Sequence, residues 1–350
     1  MFDEKGRVVG VASAHLKNAS NIGYIIPSTV LHLFLKSTKE NNGYCNAGAK
    51  APTNPHGFCG VASLGLGQLQ KLENPTLRKY LGMEHREGGV RVLSADPLGA
   101  CLDEKTSNLC IAPDDVLLSV KGVLIGEDGT VQLPGREEER ISYKAIVTSV
   151  LPTTPIEISY IRKGSLHTKS VLPSPQRWIC PRIDGYDVLD PPMYLICGGC
   201  VFTQLTKPWL KAKKMSMTQY GGPLAEEGRQ IVMLSAVLAS SVNVGYHQLS
   251  CFPLRSFDSV DVFNLQHLAT LIQNSTNPDL EFRLTISMQK PSSVSETAIE
   301  PIKNQSTDTP PIEDEVLIIL DRKLCKEMDP IIRKNHLINA PCSTGIKFDW

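Results

Sequence analysis

Apolar residues along this chain fall in short runs set between polar, Gly-rich and Pro-rich stretches, a spacing that predicts many short strands and few helices. Residues 7–12 and 22–26 read as strands. Behind Pro27, a residue suited to the first turn of a helix, Val30, Leu31, Phe34 and Leu35 recur at helical spacing. Residues 43–62 show no period and read as a loop. Residues 64–72 are strand-like, and 73–81 predict a short helix with Pro75 in its first turn. Residues 89–93 and 116–120 predict strands, the second turned by Lys121-Gly122. Residues 137–150 read as a helix with Ile141, Ala145, Ile146 and Val150 as candidate buried positions. Residues 156–161 and 168–172 predict a hairpin around Lys163-Gly164.

Five prolines between 173 and 192 mark a linker, after which the order repeats. Residues 194–202 predict a strand with a Gly-Gly bend, 230–234 a strand, and 254–260 a strand and turn. Residues 263–273 predict a helix with Leu265, Leu268 and Leu271 near one face, and 280–286 a strand. The Ser/Thr/Pro/Glu-rich stretch 290–313 predicts disorder. A last strand at 316–320 precedes a helical stretch that Pro330 is expected to interrupt. Strand, strand, strand, helix, strand thus occurs twice, each time in about 100 residues, as an approximate structural repeat.

The 350 residues suffice for two or three small domains, and 41% apolar with 21% charged residues is ordinary globular composition. Lys plus Arg equals Asp plus Glu, so the charge balance gives no argument for nucleic acid or an anionic membrane as partner. No apolar run approaches the ~20 residues of a membrane-spanning helix. The polar start lacks the apolar stretch of a signal peptide and the Arg-rich character of a transit peptide, so either the protein stays in the cytosol or nucleus or its true N-terminus is not included, and the location is left open. Ten thinly spread cysteines read as mostly reduced thiols rather than a disulfide scaffold.

Three colinear patterns carry a resemblance. Asn21-Ile22-Gly23-Tyr24-Ile25-Ile26-Pro27 resembles the N-I-G-[FY]-x-I-P stretch near the end of the Deg/HtrA protease domain. Residues 2–12 resemble the strand pair that follows the catalytic serine in that family. Ser63-Leu64-Gly65-Leu66 with Leu72-Glu73-Asn74-Pro75 resembles the opening of the first PDZ domain of the plant Do-like members. Pro113-Asp114-Asp115-Val116-Leu117-Leu118-Ser119-Val120-Lys121-Gly122 is similar to the PDZ G-D-x-[IL]-x-x-[IV]-[ND]-G element. Asp128-Gly129-Thr130-Val131 also matches the plant group. Gly198-Gly199-Cys200-Val201-Phe202 through Pro208, and Gln230-Ile231-Val232-Met233-Leu234-Ser235, resemble its divergent second PDZ. The resemblance runs from residue 2 to about residue 340, with stretches 46–60 and 289–313 looking inserted.

The resemblance implies an α+β, mainly β chain: a remnant of a trypsin-like β-barrel followed by two PDZ-like domains, each a small β-barrel or sandwich capped by helices. The expected division is 1–40, end of the protease domain and its following helix; 41–62, linker or insertion; 63–175, first PDZ; 176–192, linker; 193–288, second PDZ; 289–313, disordered insertion; and 314–350, the strand and helix completing the second PDZ, plus tail. The family's serine lies in G-N-S-G-G-P just ahead of the segment resembled by residues 2–12. Catalytic His, Asp and Ser are therefore expected to be missing from these residues, and no catalytic residue is assigned. Full-length relatives of this kind are chloroplast, mitochondrial or nuclear.

A PDZ domain binds an extended peptide end by strand addition and captures its carboxylate on a backbone loop, which needs a glycine for its amides to converge. The resemblance assigns this loop to Leu64, Gly65 and Leu66, with Ile141 and Ala145, at i and i+4 of the expected helix, as the facing wall. The second module, with Ile196-Cys197-Gly198-Gly199 in the loop position, fits the pattern less well, and subunit contacts are an alternative role for it. Ser240, Ser241 and His247 lie close together, yet no G-x-S-x-G elbow occurs in the 350 residues. Cys197-Gly198-Gly199-Cys200 has the spacing of a zinc or redox pair but no second pair, so packing thiols are expected and neither metal nor cofactor is assigned. Expected partners are C-terminal or extended peptide segments, a second copy, or full-length Deg-type subunits. The alternative reading is a piece of an active ATP-independent serine endopeptidase acting in protein quality control.

Overall fold

The structure, a computed structural model, describes residues 1–15, 23–40, 60–83, 86–103, 108–133, 136–152, 154–181, 193–215, 220–286 and 314–349. It is α+β and mainly β, in two compact units: residues 1–179 with 221–227, and residues 180–220 with 228–350. Residues 41–59, Asn21, Ile22 and the whole of 289–313, read from sequence as loop, motif and insertion, lie outside the described residues.

In the first unit, strands Gly10–His15 and Gly23–Pro27 pair antiparallel and lead into helix Ser28–Glu40. Val9, Tyr24, Ile25, Val30, Phe34 and Leu35 of this segment are exposed. The main sheet runs Ser165–Val171, Ile156–Arg162, Val116–Val120, Val90–Val92 and Leu69–Lys71, with Val123–Leu124 folded back on Val116–Val120. Two turns follow from their residues. Lys121-Gly122 and Lys163-Gly164 all hold positive φ, which gives two-residue hairpin turns whose twist matches the strands. Helix Pro75–Tyr80 starts where Asn74 Oδ1 accepts the amides of Thr76 and Leu77 at 2.9 and 3.1 Å, with Pro75 in the first turn. Val90, Val92, Leu117, Val120, Ile158 and Tyr160 form the core of this unit.

One expected helix is not there. Residues 137–150 form strand Arg136–Ser142, paired with Thr130–Leu133, and then one short helix, Lys144–Thr148. Arg140 explains the strand: its guanidinium donates to Thr130 Oγ1 at 2.7 Å and to the Thr130 carbonyl at 3.0 Å, across the hairpin. Cross-strand bonding here overrides the helix propensity of the Glu-Glu-Glu-Arg run. The proline-rich run of 173–192 begins inside the unit: Ser174–Pro175 pairs with Ala62–Ser63 at the end of the expected 63–175 module, while residues 182–192 of the expected linker lie outside the described residues.

The second unit holds an antiparallel sheet in the order Tyr194–Cys197, Cys200–Gln204, Val232–Val237, Phe252–Phe257, Asp279–Ile286, Asp314–Asp321, with Val260–Asp261 beside Phe252–Phe257. Helices Leu265–Asn274 and Arg322–Asn335 supply Leu265, Leu268, Ile272, Cys325 and Ile332 to its core. Phe202, Phe257 and Phe282 meet at its centre, with ring centroids 5.2 and 5.0 Å apart. Pro330 does not interrupt the last helix. Burial of Cys325, Asp329 and Ile332 on either side of it carries the helix through the proline.

Candidate peptide-binding site

Beyond strand Ala62–Ser63 the chain turns through Leu64-Gly65-Leu66. Ser63 Oγ accepts the Gly65 amide at 3.1 Å. Gly65 has φ +68°, and a Cβ there would stand 2.7 Å from Gly99 Cα, so glycine alone fits. The Gly65 carbonyl accepts the Asp96 amide at 2.6 Å, and the Gly67 amide donates to the Ser94 carbonyl at 2.9 Å. These two bonds flank the antiparallel bridge between Leu66 and Ala95. They make it a non-hydrogen-bonded pair, in which the N–H and C=O of Leu66 point away from Ala95. Leu66 therefore presents its backbone to the opposite edge, as strand addition requires.

The expected pocket residues are placed unequally. Leu64 and Leu66 are 3% and 5% exposed and join one apolar cluster with Val147, while Ile141 and Ile146 pack on that cluster half-buried. Helix Lys144–Thr148 lies beside strand Ala62–Ser63. Ile141 and Ala145 do not share a helical face. Ile141 stands on a strand opposite Val131, and Ala145 is exposed on the short helix. The structure thus places Leu64 and Leu66 in one apolar cluster, sets Ile141 against that cluster, and leaves Ala145 at the surface.

Sequence reasoning missed Asp96. Its buried carboxylate lies under Gly65 and accepts from Gln176 Nε2 at 3.0 Å. Burial pushes this carboxyl above its usual range, against the Gln176 hydrogen bond and the charge of Lys144. A raised pKa in the folded state means that the fold holds the proton more tightly than the unfolded chain. The stability from this source is present at low pH and is lost as pH rises through the folded pKa. Asp96→Asn is therefore expected to melt progressively higher relative to wild type as pH goes from about 4 to about 7. A calorimetric series across that range checks it.

The corresponding edge of the second unit is filled by its own chain. Gly198 and Gly199, both at positive φ, fold Tyr194–Cys197 back onto Cys200–Gln204, whose far edge pairs with Val232–Val237. The outer edge of Tyr194–Cys197 is covered in turn. The Ile196 amide donates to the Pro341 carbonyl at 2.8 Å, and the Ser343 amide to the Tyr194 carbonyl at 2.9 Å. Cys197 and Cys200 are buried within this hairpin, and burial pushes both thiols up. Cys-Gly-Gly-Cys is here a tight turn between packed thiols.

A PDZ domain family model matches residues 182–345. Protease Do-like 2, chloroplastic, of Arabidopsis thaliana is 31% identical over 80% of this chain and 43% of its own length. Protease Do-like 4, mitochondrial, of the same plant is 28% identical over 98% of this chain and 55% of its own. The chain thus spans about half the length of these curated relatives. Among solved structures, the HtrA-type protease AlgW with decapeptide is similar at 18% identity over 48% of this chain and 42% of its own, with a TM-score of 0.29. The colinear motifs and the matches to plant Do-like proteases show a chain similar to the Deg/HtrA (protease Do-like) proteins, with a PDZ domain over residues 182–345.

Proposed function

We propose that these 350 residues form a peptide-binding tandem of PDZ-type modules of Do-like descent, with the first module, residues 63–175, as the binding one. The observation that carries this reading is the Leu66 edge: an outward-facing backbone, a glycine loop beside it, and an apolar floor of Leu64 and Leu66. The ligand is a C-terminal peptide segment with an apolar last residue, its carboxylate on the Gly65 loop and its strand paired with Leu66. A Kd of roughly micromolar, about −8 kcal/mol, is expected. The second module, the outer edge of its Tyr194–Cys197 strand bonded to residues 341–343, serves contacts other than strand addition at that edge.

A fluorescence titration of the full chain with such peptides tests this. Gly65→Asp is expected to abolish binding, and Ile141→Ala, on the half-buried strand wall, to weaken it at least about tenfold. Wild-type binding that survives both substitutions would show that the groove lies elsewhere. The same preparation is expected not to hydrolyse casein, because catalysis needs a serine, a histidine base and a carboxylate in one constellation. Hydrolysis blocked by a serine-directed inhibitor would instead support the second reading, that this is a working part of a serine endopeptidase. That reading is favoured by the names of the relatives and by their roughly twofold greater length.

Self-association belongs to the same proposal. Strands Gly10–His15 and Gly23–Pro27, which form a two-stranded sheet, and the helix behind them expose Val9, Tyr24, Ile25 and Phe34, an arrangement that invites a second copy. Deleting residues 1–27 is expected to lower the concentration-dependent mass in sedimentation velocity and to leave the main unfolding transition nearly unchanged. An unchanged mass, or a large drop in melting temperature, contradicts this.

A further inference from the structure

A hairpin of the first unit carries two cysteines that face each other. Leu102–Asp103 pairs antiparallel with Asn108–Leu109, Leu102 opposite Leu109. One step outward, Cys101 stands opposite Cys110, whose amide donates to the Cys101 carbonyl at 2.6 Å. Facing residues in such a hydrogen-bonded pair have Cα atoms roughly 5.5 Å apart. That lies within the roughly 4.4–6.8 Å that a disulfide spans. Both cysteines are free, and each thiol shifts the proton affinity of the other.

The two thiols differ. Cys101 is buried, and its hydrogen bond to Cys110, together with burial, pushes its thiol up. Cys110 is buried as well but keeps 9% of its surface exposed against 1% for Cys101, and its thiol is brought down to about 7, first by the Cys101 hydrogen bond and then by the charges of Lys169 and Arg162. Cys110 has the character of an attacking thiol and Cys101 that of its resolving partner.

We propose that Cys101 and Cys110 are a redox modification site that closes reversibly to a disulfide by exchange with a low-molecular-weight disulfide. The Cys110 thiolate attacks one sulfur of the small disulfide, forming a mixed disulfide and releasing one small thiolate, which takes up a proton. Cys101 then loses its proton to solvent and attacks the Cys110 sulfur, expelling the second small thiol. Two protein thiols are oxidised by two electrons, and one small disulfide is reduced to two thiols.

The site reaches the candidate groove through its own backbone. Cys101 ends the turn that begins at Asp96, and this turn carries the Gly65 loop: the Asp96 amide bonds the Gly65 carbonyl, and Gly99 backs the Gly65 Cα. Closing the disulfide fixes the far end of that turn. Regulation of peptide capture by this route rests on the groove proposed above; the disulfide itself does not.

The test is cysteine mapping on the native full chain, incubated with oxidised or reduced glutathione, alkylated and digested for mass spectrometry. Oxidised glutathione is expected to yield a Cys101–Cys110 linked peptide that dithiothreitol removes. Cys197, Cys200 and Cys325, which have no exposed surface where Cys110 keeps 9%, are expected to react only after unfolding. Hydrogen exchange at the Asp96 amide is expected to slow on the order of tenfold in the linked form. Cys101→Ala is expected to stop at a stable glutathione adduct on Cys110; if that variant does not fold, the wild-type map decides alone. Free thiols at both positions, separate adducts on each, or a link from Cys110 to another cysteine would overturn the proposal. No peptide ligand enters these readouts, so they decide the disulfide even if the groove fails to bind.

Discussion

Gly199→Ala is expected to cost the second unit about 3–5 kcal/mol and to unfold much of it at physiological temperature. Gly199 sits at φ +79°, where a side chain is strained. A Cβ there would stand 2.5 Å from both the Leu238 carbonyl oxygen and Asn243 Nδ2. Neither neighbour is free to yield. The Leu238 amide bonds the Gly199 carbonyl at 2.8 Å, and Asn243 Nδ2 donates to the Gly198 and Leu238 carbonyls at 2.8 Å each. On the other side, the buried Asp329 carboxylate accepts the Gly199 amide at 3.2 Å. Denaturant unfolding followed at the tryptophans measures the effect. A loss below about 1 kcal/mol would mean that the turn relaxes easily and that the hairpin does not fill the strand edge as described.

Arg162→Ala is expected to destabilise the first unit by about 2–3 kcal/mol. Asp115 is buried and takes a two-pronged contact, Arg162 Nε to Oδ1 at 2.8 Å and Nη2 to Oδ2 at 2.6 Å. Its Oδ2 also accepts the Ala112 amide at 2.8 Å, and Arg162 Nη2 donates to the Cys110 carbonyl at 3.0 Å. The substitution leaves a buried carboxylate with its cation gone. The guanidinium side chain keeps 36% of its surface in solvent, which holds the loss below the full value of a buried pair. Arg162→Lys is expected to recover only part of the loss, since an ammonium cannot make the two-pronged contact. Equal stability of the alanine and wild-type chains would show the pair to be incidental.

Turn chemistry is the most legible part of the sequence. Lys121-Gly122 and Lys163-Gly164 sit where two-residue hairpins require positive φ, and Asn74-Pro75 starts a helix, because these preferences are local. Where sequence and structure part, the outcome is decided at a distance. Residues 137–142 carry helix-favouring Glu and Arg, but Arg140 is bound across the hairpin to Thr130, which no short window centred on 140 weighs as a partner. Pro330 reads as a break because its rule is local, whereas the helix is held by core contacts on both sides. The candidate groove is half legible. The glycine loop is a sequence motif, but its wall comes from a strand rather than a helix, and Asp96 enters through a bridge from Leu66 to Ala95. The filled edge of the second unit is suggested only by a poor loop match, since Gly198-Gly199 specifies a turn without saying which strand it folds back on.

The central claim, that the first unit captures peptide ends at the Leu66 edge, is tested most directly by amide chemical-shift mapping of the full chain during titration with a peptide ending in an apolar residue. The predicted result is saturable shifts at Gly65, Leu66 and the Lys144–Thr148 helix, with those of Tyr194–Gln204 unmoved. Shifts confined to residues 194–204, or none at millimolar peptide (about −4 kcal/mol or weaker), would contradict it.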